Sequence, residues 1–264
     1  MKNGTRLIAA VLCVLLLLPT VVFAEAQPSL EKQIAQSAEG MSALGGKKGE
    51  LLKDQELFPA GTSGCDWLAM AMALSGTKES YADYLAALKA YVEDAYAKNG
   101  YLDRNKATEY HRIALTVLAL GGDPTDFGTK PDGSSIDLIA EGTYNYARDL
   151  GAQGLNGWIW ALLTLDAQDT EIPEDSQYSR EDMVSAIVIA QEPDGGFGLI
   201  PGKSDVDITA MAVQALAPYR DQLETEIDAA LSYLSNELTD TCGYIAYDDE
   251  NAESTAQVIL ALCA

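Results

Sequence analysis

One pattern constrains this 264-residue chain more than any other: a block of small and branched apolar residues that recurs along most of its length. The copies read WLAMAMAL (67–74), IALTVLAL (113–120), WIWALLTL (158–165), TAMAVQAL (209–216) and TAQVILAL (255–262). Aligned on their closing leucines, Leu74, Leu120, Leu165, Leu216 and Leu262, they fall 46, 45, 51 and 46 residues apart. Self-similarity of that period means one supersecondary unit per copy, each unable to bury its apolar face alone and therefore stacked on its neighbours. Function is then to be sought in what the stacked units enclose.

The first 24 residues stand apart. Lys2 and Arg6 precede an apolar run from Leu7 to Val22 that closes on the small-residue site Val22-Phe23-Ala24, the pattern of a secretory signal peptide cleaved after Ala24. Pro19 breaks the run, and its core is short for a membrane span. The expected localisation is therefore secreted or extracellular at the cell surface, with no membrane attachment after cleavage. Loss of Lys2 and Arg6 moves the net charge from −23 to −25. A surface this acidic repels phosphate backbones and anionic lipid, so nucleic acid and membrane surfaces are poor partners; acidity also serves simply to keep an exported protein soluble. Of the cysteines left, Cys65, Cys242 and Cys263 form an odd set, so at least one is unpaired or intermolecular. Cys65 and Cys242 each precede an apolar block and could share a rim, with three unpaired thiols as the alternative. No pair has metal-ligand spacing and His111 is the only histidine, so no metal centre is expected.

Each block is apolar on all sides, as a helix covered on every face would be. Between blocks lie amphipathic segments with an apolar stripe at helical spacing, clearest at 80–98, 135–150, 179–191 and 221–237, and 28–44 precedes the first block in the same way. Alternating outer and buried helices predict an all-α fold. Burial of the inner set on every face favours an α/α toroid of helical-hairpin repeats, with a period of about 46 residues, over an open solenoid. The expected organisation is a signal peptide over 1–24, an N-terminal helix and linker over 25–64, and toroid repeats over 65–264. Residues 45–64 and 120–134 read as long linkers. Gly100-Tyr101, Gly195-Gly196-Phe197 and Gly243-Tyr244 hold comparable places and read as glycine helix ends with an aromatic packed beneath. Only five inner helices are visible and the sequence stops within the fifth, so the ring is expected to be incomplete at its C-terminus, as a fragment or with closure by a partner.

Gln191 and DGGF followed by SDVDITAMAVQALAPY resemble the prenyltransferase and squalene-cyclase repeat of the terpenoid-cyclase α/α-toroid superfamily, over roughly residues 65–262. The same helix is similar to inner helices of the cobalamin-binding proteins intrinsic factor and transcobalamin. LNGWIWALLTLD, SDVDITAMAVQALAPY and ESTAQVILAL look like a group of exported toroid proteins of Gram-positive bacteria. The resemblance implies an apolar lumen and, in the enzymes, chemistry at the inner-helix starts. Protein prenyltransferases of this fold hold zinc with an Asp and a Cys two residues apart plus a distant His. Here Asp207 has Thr209 in the cysteine place, so zinc is not expected. Class II terpene cyclases protonate their substrate from DxDDTA. This chain reads Asp205-Val206-Asp207-Ile208-Thr209-Ala210, which keeps Asp207 in the proton-donor place and replaces the acid after it. A helix-start Asp that accepts backbone N–H bonds is expected to be ionised, against the needs of a proton donor.

Carried back to the helix starts, the alignment puts Cys65, His111, Asn156, Asp207 and Glu253 in one column and Asp66, Arg112, Gly157, Ile208 and Ser254 in the next. In a toroid these starts ring one mouth of the cavity, with Trp67, Tyr110, Trp158 and Trp160 near the same level. Convergent polar groups in an aromatic-walled funnel suit a small molecule, and Trp67, Tyr110, His111, Asn156, Trp158, Asp207, Thr209 and Glu253 are the expected ligand-binding residues. N-terminal capping is the rival role for the polar members, and Gln214 is either lumen-facing or satisfied between helices. The chain has no GxxxxGK, GxGxxG, HExxH, CxxC or GxSxG, and the spacing of Asp123, Asp126 and Asp132 fits no calcium loop. The expected function is an exported, non-catalytic toroid binding a bulky small molecule, a corrinoid or another apolar ligand, with no cofactor. A cell-surface structural or protein-interaction module is the first alternative. A terpene-cyclase-like enzyme with Asp207 as its catalytic acid is the second.

Overall fold

In the computed structural model, which describes residues 29–264 apart from Gly46 and Tyr247, every recurrent apolar block is a helix. The signal-peptide expectation for 1–24 lies outside the described residues. The blocks are α2 (Ser63–Leu74), α4 (Ala107–Ala119), α6 (Leu155–Asp166), α8 (Val206–Leu216) and α10 (Ala252–Cys263). Between them come α1 (Leu30–Ser42), α3 (Tyr81–Asn99), α5 (Leu138–Gly142), α7 (Arg180–Ile189) and α9 (Glu224–Asn236). Two antiparallel hairpins complete the set: β1 (Phe197–Ile200) with β2 (Lys203–Asp205), and β3 (Tyr244–Ala246) with β4 (Asp249–Asn251). The described chain is thus all-α in class. Among the described residues no helix is long and apolar enough to cross a membrane.

Burial follows the side-chain pattern that forms each helix. On α8 every residue but Asp207 and Gln214 is buried, whereas α3 buries only the stripe Tyr84, Leu88, Val92 and Tyr96, one residue per turn. Gly100 closes α3 in the left-handed conformation with φ 81°, as glycine permits. The other two glycine-aromatic pairs differ from expectation. Ala190, not a glycine, ends α7, and Phe197 and Tyr244 open the two hairpins. Strands of three or four residues are too short for a period-two pattern to register.

The predicted outer helix at 135–150 is a second correction. Only the five residues of α5 are helical, followed by a 3-10 turn over Leu150–Gln153. Beyond Gly142, the Thr143 hydroxyl donates to Ile139 O at 2.6 Å and the Asn145 N–H reaches back five residues to Ala140 O at 2.9 Å. The Thr143 N–H still reaches Ile139 O at 3.0 Å, so it is the Asn145 bond that departs from the i−4 pattern that would continue the helix.

The chain divides into two compact units. Unit 1 holds the described residues up to Leu102 together with Arg112–Asp137; unit 2 holds Asp103–His111 and Leu138–Ala264. Helix α4 contributes to both.

In unit 1 the repeat period becomes a contact. Arg112 Nε donates to Asp66 Oδ2 at 2.9 Å, one period away, and Arg112 Nη2 donates to Gly61 O at 3.0 Å. Asp66 Oδ1 accepts from the Tyr84 hydroxyl at 2.7 Å and Gly61 N–H at 3.0 Å. Both charged residues are buried, and a buried pair persists only when its remaining hydrogen-bonding capacity is met in this way. Burial pushes the Asp66 carboxyl above its usual range, with Tyr84, Gly61 and Arg112 opposing. The first linker buries Leu51 and Leu52 on a 3-10 turn. In the second, Asp123 and Asp132 accept from the Thr125 and Ser134 amides at 2.9 Å, and Asp126 accepts from Ser135.

In unit 2 the inner helices α6, α8 and α10 lie side by side and parallel. The start of α6 meets the hairpin that feeds α8, since a Cβ on Gly154 would lie 3.5 Å from Leu199 Cδ2. The far ends meet where the Tyr219 hydroxyl, just past α8, donates to Asp166 Oδ2 at 3.1 Å. Gln214 Nε2, in the last turn of α8, donates to Gln257 Oε1 in the middle of α10 at 3.1 Å, so Gln214 is satisfied between helices. Period-separated pairing recurs where Gln153 Nε2 donates to Thr108 Oγ1 at 3.0 Å. Gly157 is obligatory in α6, because a Cβ there would sit 1.7 Å from the Leu150 carbonyl oxygen.

Candidate functional site

The helix caps lie upstream of the polar column. Asp205 caps α8 by accepting from Ile208 N–H at 3.0 Å, and Asn251 caps α10 by accepting from the Glu253 and Ser254 amides at 2.9 and 3.1 Å. The backbone residue before α6 is Gly154, which has no side chain to cap with. Asn156, Asp207 and Glu253 therefore all sit two places inside their helices, where the capping role is already taken or was never filled by them.

Freed from capping, these groups have few partners. Asn156 Oδ1 is a buried atom that makes no hydrogen bond, while Asp207 Oδ1 and the Ser254 hydroxyl lie beside one another with no other partner. Ser254 is 1% exposed, Asp207 and Asn156 are partly buried, and Glu253 is exposed. Orphaned polar atoms inside a fold are uncommon and call for a ligand, an ion or a water. Burial pushes the Asp207 carboxyl above its usual range; the Ser254 hydroxyl beside it opposes, and the charges of Asp205 and Glu253 push it further up. Asp205, not Asp207, takes the helix-start backbone N–H, so the stabilisation of an Asp207 anion that capping would supply is absent.

The remaining candidates separate by environment. Thr209 is fully buried with its hydroxyl committed: it accepts from Phe197 N–H at 2.8 Å and donates to Phe197 O at 3.2 Å. Thr255 repeats the first of these bonds one repeat later, accepting from Tyr244 N–H at 3.1 Å. Thr209 thus clamps the hairpin to α8, which corrects its placement among the ligand-binding residues. His111 is fully buried, and its Nε2–H donates to Gly142 O at 2.6 Å. That bond fixes the tautomer and leaves Nδ1 a buried acceptor without a partner. Burial pushes the imidazole down to about 4, with the Gly142 carbonyl opposing. Tyr110 is buried edge-on to Tyr146 with ring centres 6.0 Å apart. Trp158 is partly exposed and meets Tyr178 edge-on at 5.2 Å. Trp67 lies on α2 in unit 1 and is partly exposed.

Within unit 2 the structure therefore brings Asp207, Glu253 and Ser254 together, with Asn156 at the same register on the adjoining helix. Ser254 was missed among the sequence-derived site residues. Its signal was its place in the second column, among Asp66, Arg112, Gly157 and Ile208, a column whose other members are all buried. Among the described residues no three His, Cys, Asp or Glu side chains are placed to hold a metal ion, and Cys65, Cys242 and Cys263 carry no disulfide. No protein-family model matches the chain, and comparison with curated proteins finds no match.

Proposed function

We propose that this protein is an exported α/α-toroid that binds a bulky small molecule at the inner-helix starts of unit 2. The observation that carries the reading is the set of buried polar atoms near the starts of three parallel helices, Asn156 Oδ1 without a partner on α6, and Asp207 Oδ1 and Ser254 Oγ with none but each other on α8 and α10. A fold that leaves such an atom dry forfeits about 1–3 kcal/mol, so the set favours an occupant. Period-separated contacts such as Arg112 to Asp66 and Gln153 to Thr108 support the repeat stacking that a toroid requires. A corrinoid and a terpenoid are the two ligand classes that the sequence resemblance suggests.

Titration of the purified protein with each class, followed by tryptophan fluorescence, tests the reading. Saturable one-to-one binding that Asn156→Leu or Ser254→Val weakens is expected; the absence of saturable binding to either class refutes it. One observation favours the enzyme alternative. The upward push on the Asp207 carboxyl is the direction a proton donor to an alkene needs. Incubation with a polyprenyl substrate distinguishes the readings, since a cyclised product lost in Asp207→Asn assigns catalysis.

A further inference from the structure

We infer that α10 forms a homodimer interface: its face carrying Ile259 and Leu262 packs against the same face of a second copy, antiparallel and about a twofold axis. The inference is independent of the ligand reading, which concerns the starts of the inner helices rather than the second half of α10.

Ile259 and Leu262 lie one turn apart on α10 and are 41% and 67% exposed. Aligned on the closing leucines, their counterparts are Leu162 and Leu165 on α6 and Val213 and Leu216 on α8, all of them buried. On α8 the cover comes from the next pair of helices, since Val213 shares the wall of a groove with Ile227 and Leu231 of α9 and Ala261 of α10. The exposed face of α10 is thus of the kind that this fold closes with another helix, and among the described residues none closes it. A lone exposed residue such as Ile189 needs no cover; an apolar pair flanking an apolar groove marks an interaction surface.

Charge and shape say what covers it. The chain carries a net charge of −23, so two copies repel over most of their surface. From Ser254 to Ala264 no side chain is charged, and Arg220 at the groove spends its charge on Asp228. Here a second copy meets none of that repulsion. A twofold interface also needs a projection and a recess on one surface. Both are present: the groove, about 160 Å³ and mostly apolar, has Leu262 at its lip, with Ile259 projecting one turn away. An apolar cavity of about 150 Å³ admits a group as large as benzene, so the groove has room for an isoleucine side chain. Seating Ile259 of each copy beside Leu262 of the other requires antiparallel helices. That order pairs opposite ends of the helix dipoles. It also holds the two copies of Glu253, the one charged side chain on α10, about 20 Å apart, well beyond the screening length of about 8 Å.

Sedimentation equilibrium of the purified protein from about 5 to about 500 μM, with and without reductant, tests this. A face this small predicts a weak dimer, with Kd on the order of 10–100 μM whether or not reductant is present. Ile259→Glu and Leu262→Glu are each expected to raise Kd at least tenfold, and Ile189→Glu and Cys263→Ser to leave it unchanged. Both interface residues are exposed, so the thermal midpoints of the variants at about 5 μM, where the wild type is also monomeric, are expected to match it and separate loss of the dimer from loss of the fold. A monomer at every concentration overturns the inference and leaves another part of the chain or a foreign partner as the cover. A dimer that reductant dissolves overturns it in favour of a disulfide, and growth beyond two copies in favour of head-to-tail stacking. An equal loss in Ile189→Glu overturns it as general adhesion of exposed apolar residues.

Discussion

His111 makes the stability of unit 2 depend on pH in a direction that its burial dictates. Its imidazole is held at about 4 in the folded chain against an ordinary 6.5, because a fully buried ring cannot hydrate its charge. Above the unfolded value both states carry a neutral ring, and the contribution is fully present. As the pH falls below about 6.5 the unfolded chain takes up a proton that the folded chain refuses, so stability is lost at about 1.4 kcal/mol per pH unit. The loss levels off near pH 4, where the folded ring also protonates, and amounts to about 3 kcal/mol over the interval of roughly 2.5 pH units. Urea unfolding of the wild type and His111→Gln between about pH 7 and pH 4.5 isolates this contribution, since carboxylates titrate in both proteins and cancel in the difference. The wild type should lose about 2 kcal/mol more than the variant over that range. Parallel pH dependences in the two proteins would refute the buried, neutral imidazole.

Three further outcomes follow from packing. Gly157→Ala should lower the unfolding midpoint by several degrees in a circular-dichroism melt, because overpacking against the Leu150 carbonyl costs about 1–3 kcal/mol or more and outweighs the helix-propensity gain of about 1 kcal/mol; a raised midpoint contradicts the close approach. Arg112→Met should destabilise the protein by about 3–5 kcal/mol in urea by leaving Asp66 buried and unpaired, and Asp66→Leu with Arg112→Met should recover much of that. A single variant within about 0.5 kcal/mol of wild type would show the pair to be solvated. Thr209→Val should cost about 1–3 kcal/mol through the orphaned Phe197 N–H, while Thr209→Ser keeps most of the stability; equal losses in both would point to the methyl group rather than the clamp.

Much of the helical framework was legible in the residues. The five apolar blocks and the amphipathic stripes of α3, α7 and α9 follow from side-chain identity alone, since an all-round apolar segment in water has only one place to go. The segment 135–150 differs because its apolar spacing survives in Leu138 and Ile139, while the helix ends at Gly142 and the Asn145 N–H turns back to Ala140 O, a local bond that no periodicity reports. The hairpins escaped for want of length, and with them went the position of the caps.

That position is what the tertiary structure decided. The composition placed Asn156, Asp207 and Ser254 near helix starts, and any of them was chemically fit to cap. Only the path of the chain through β2 and β4 puts Asp205 and Asn251 at the α8 and α10 caps and leaves Asp207 and Ser254 one half-turn further in. A backbone N–H has room for one good acceptor, and the residue that the fold delivers first takes it. Those behind it are buried by neighbouring helices with their hydrogen-bonding capacity partly unspent, a condition set by packing across some 46 residues of sequence and therefore invisible to any local pattern.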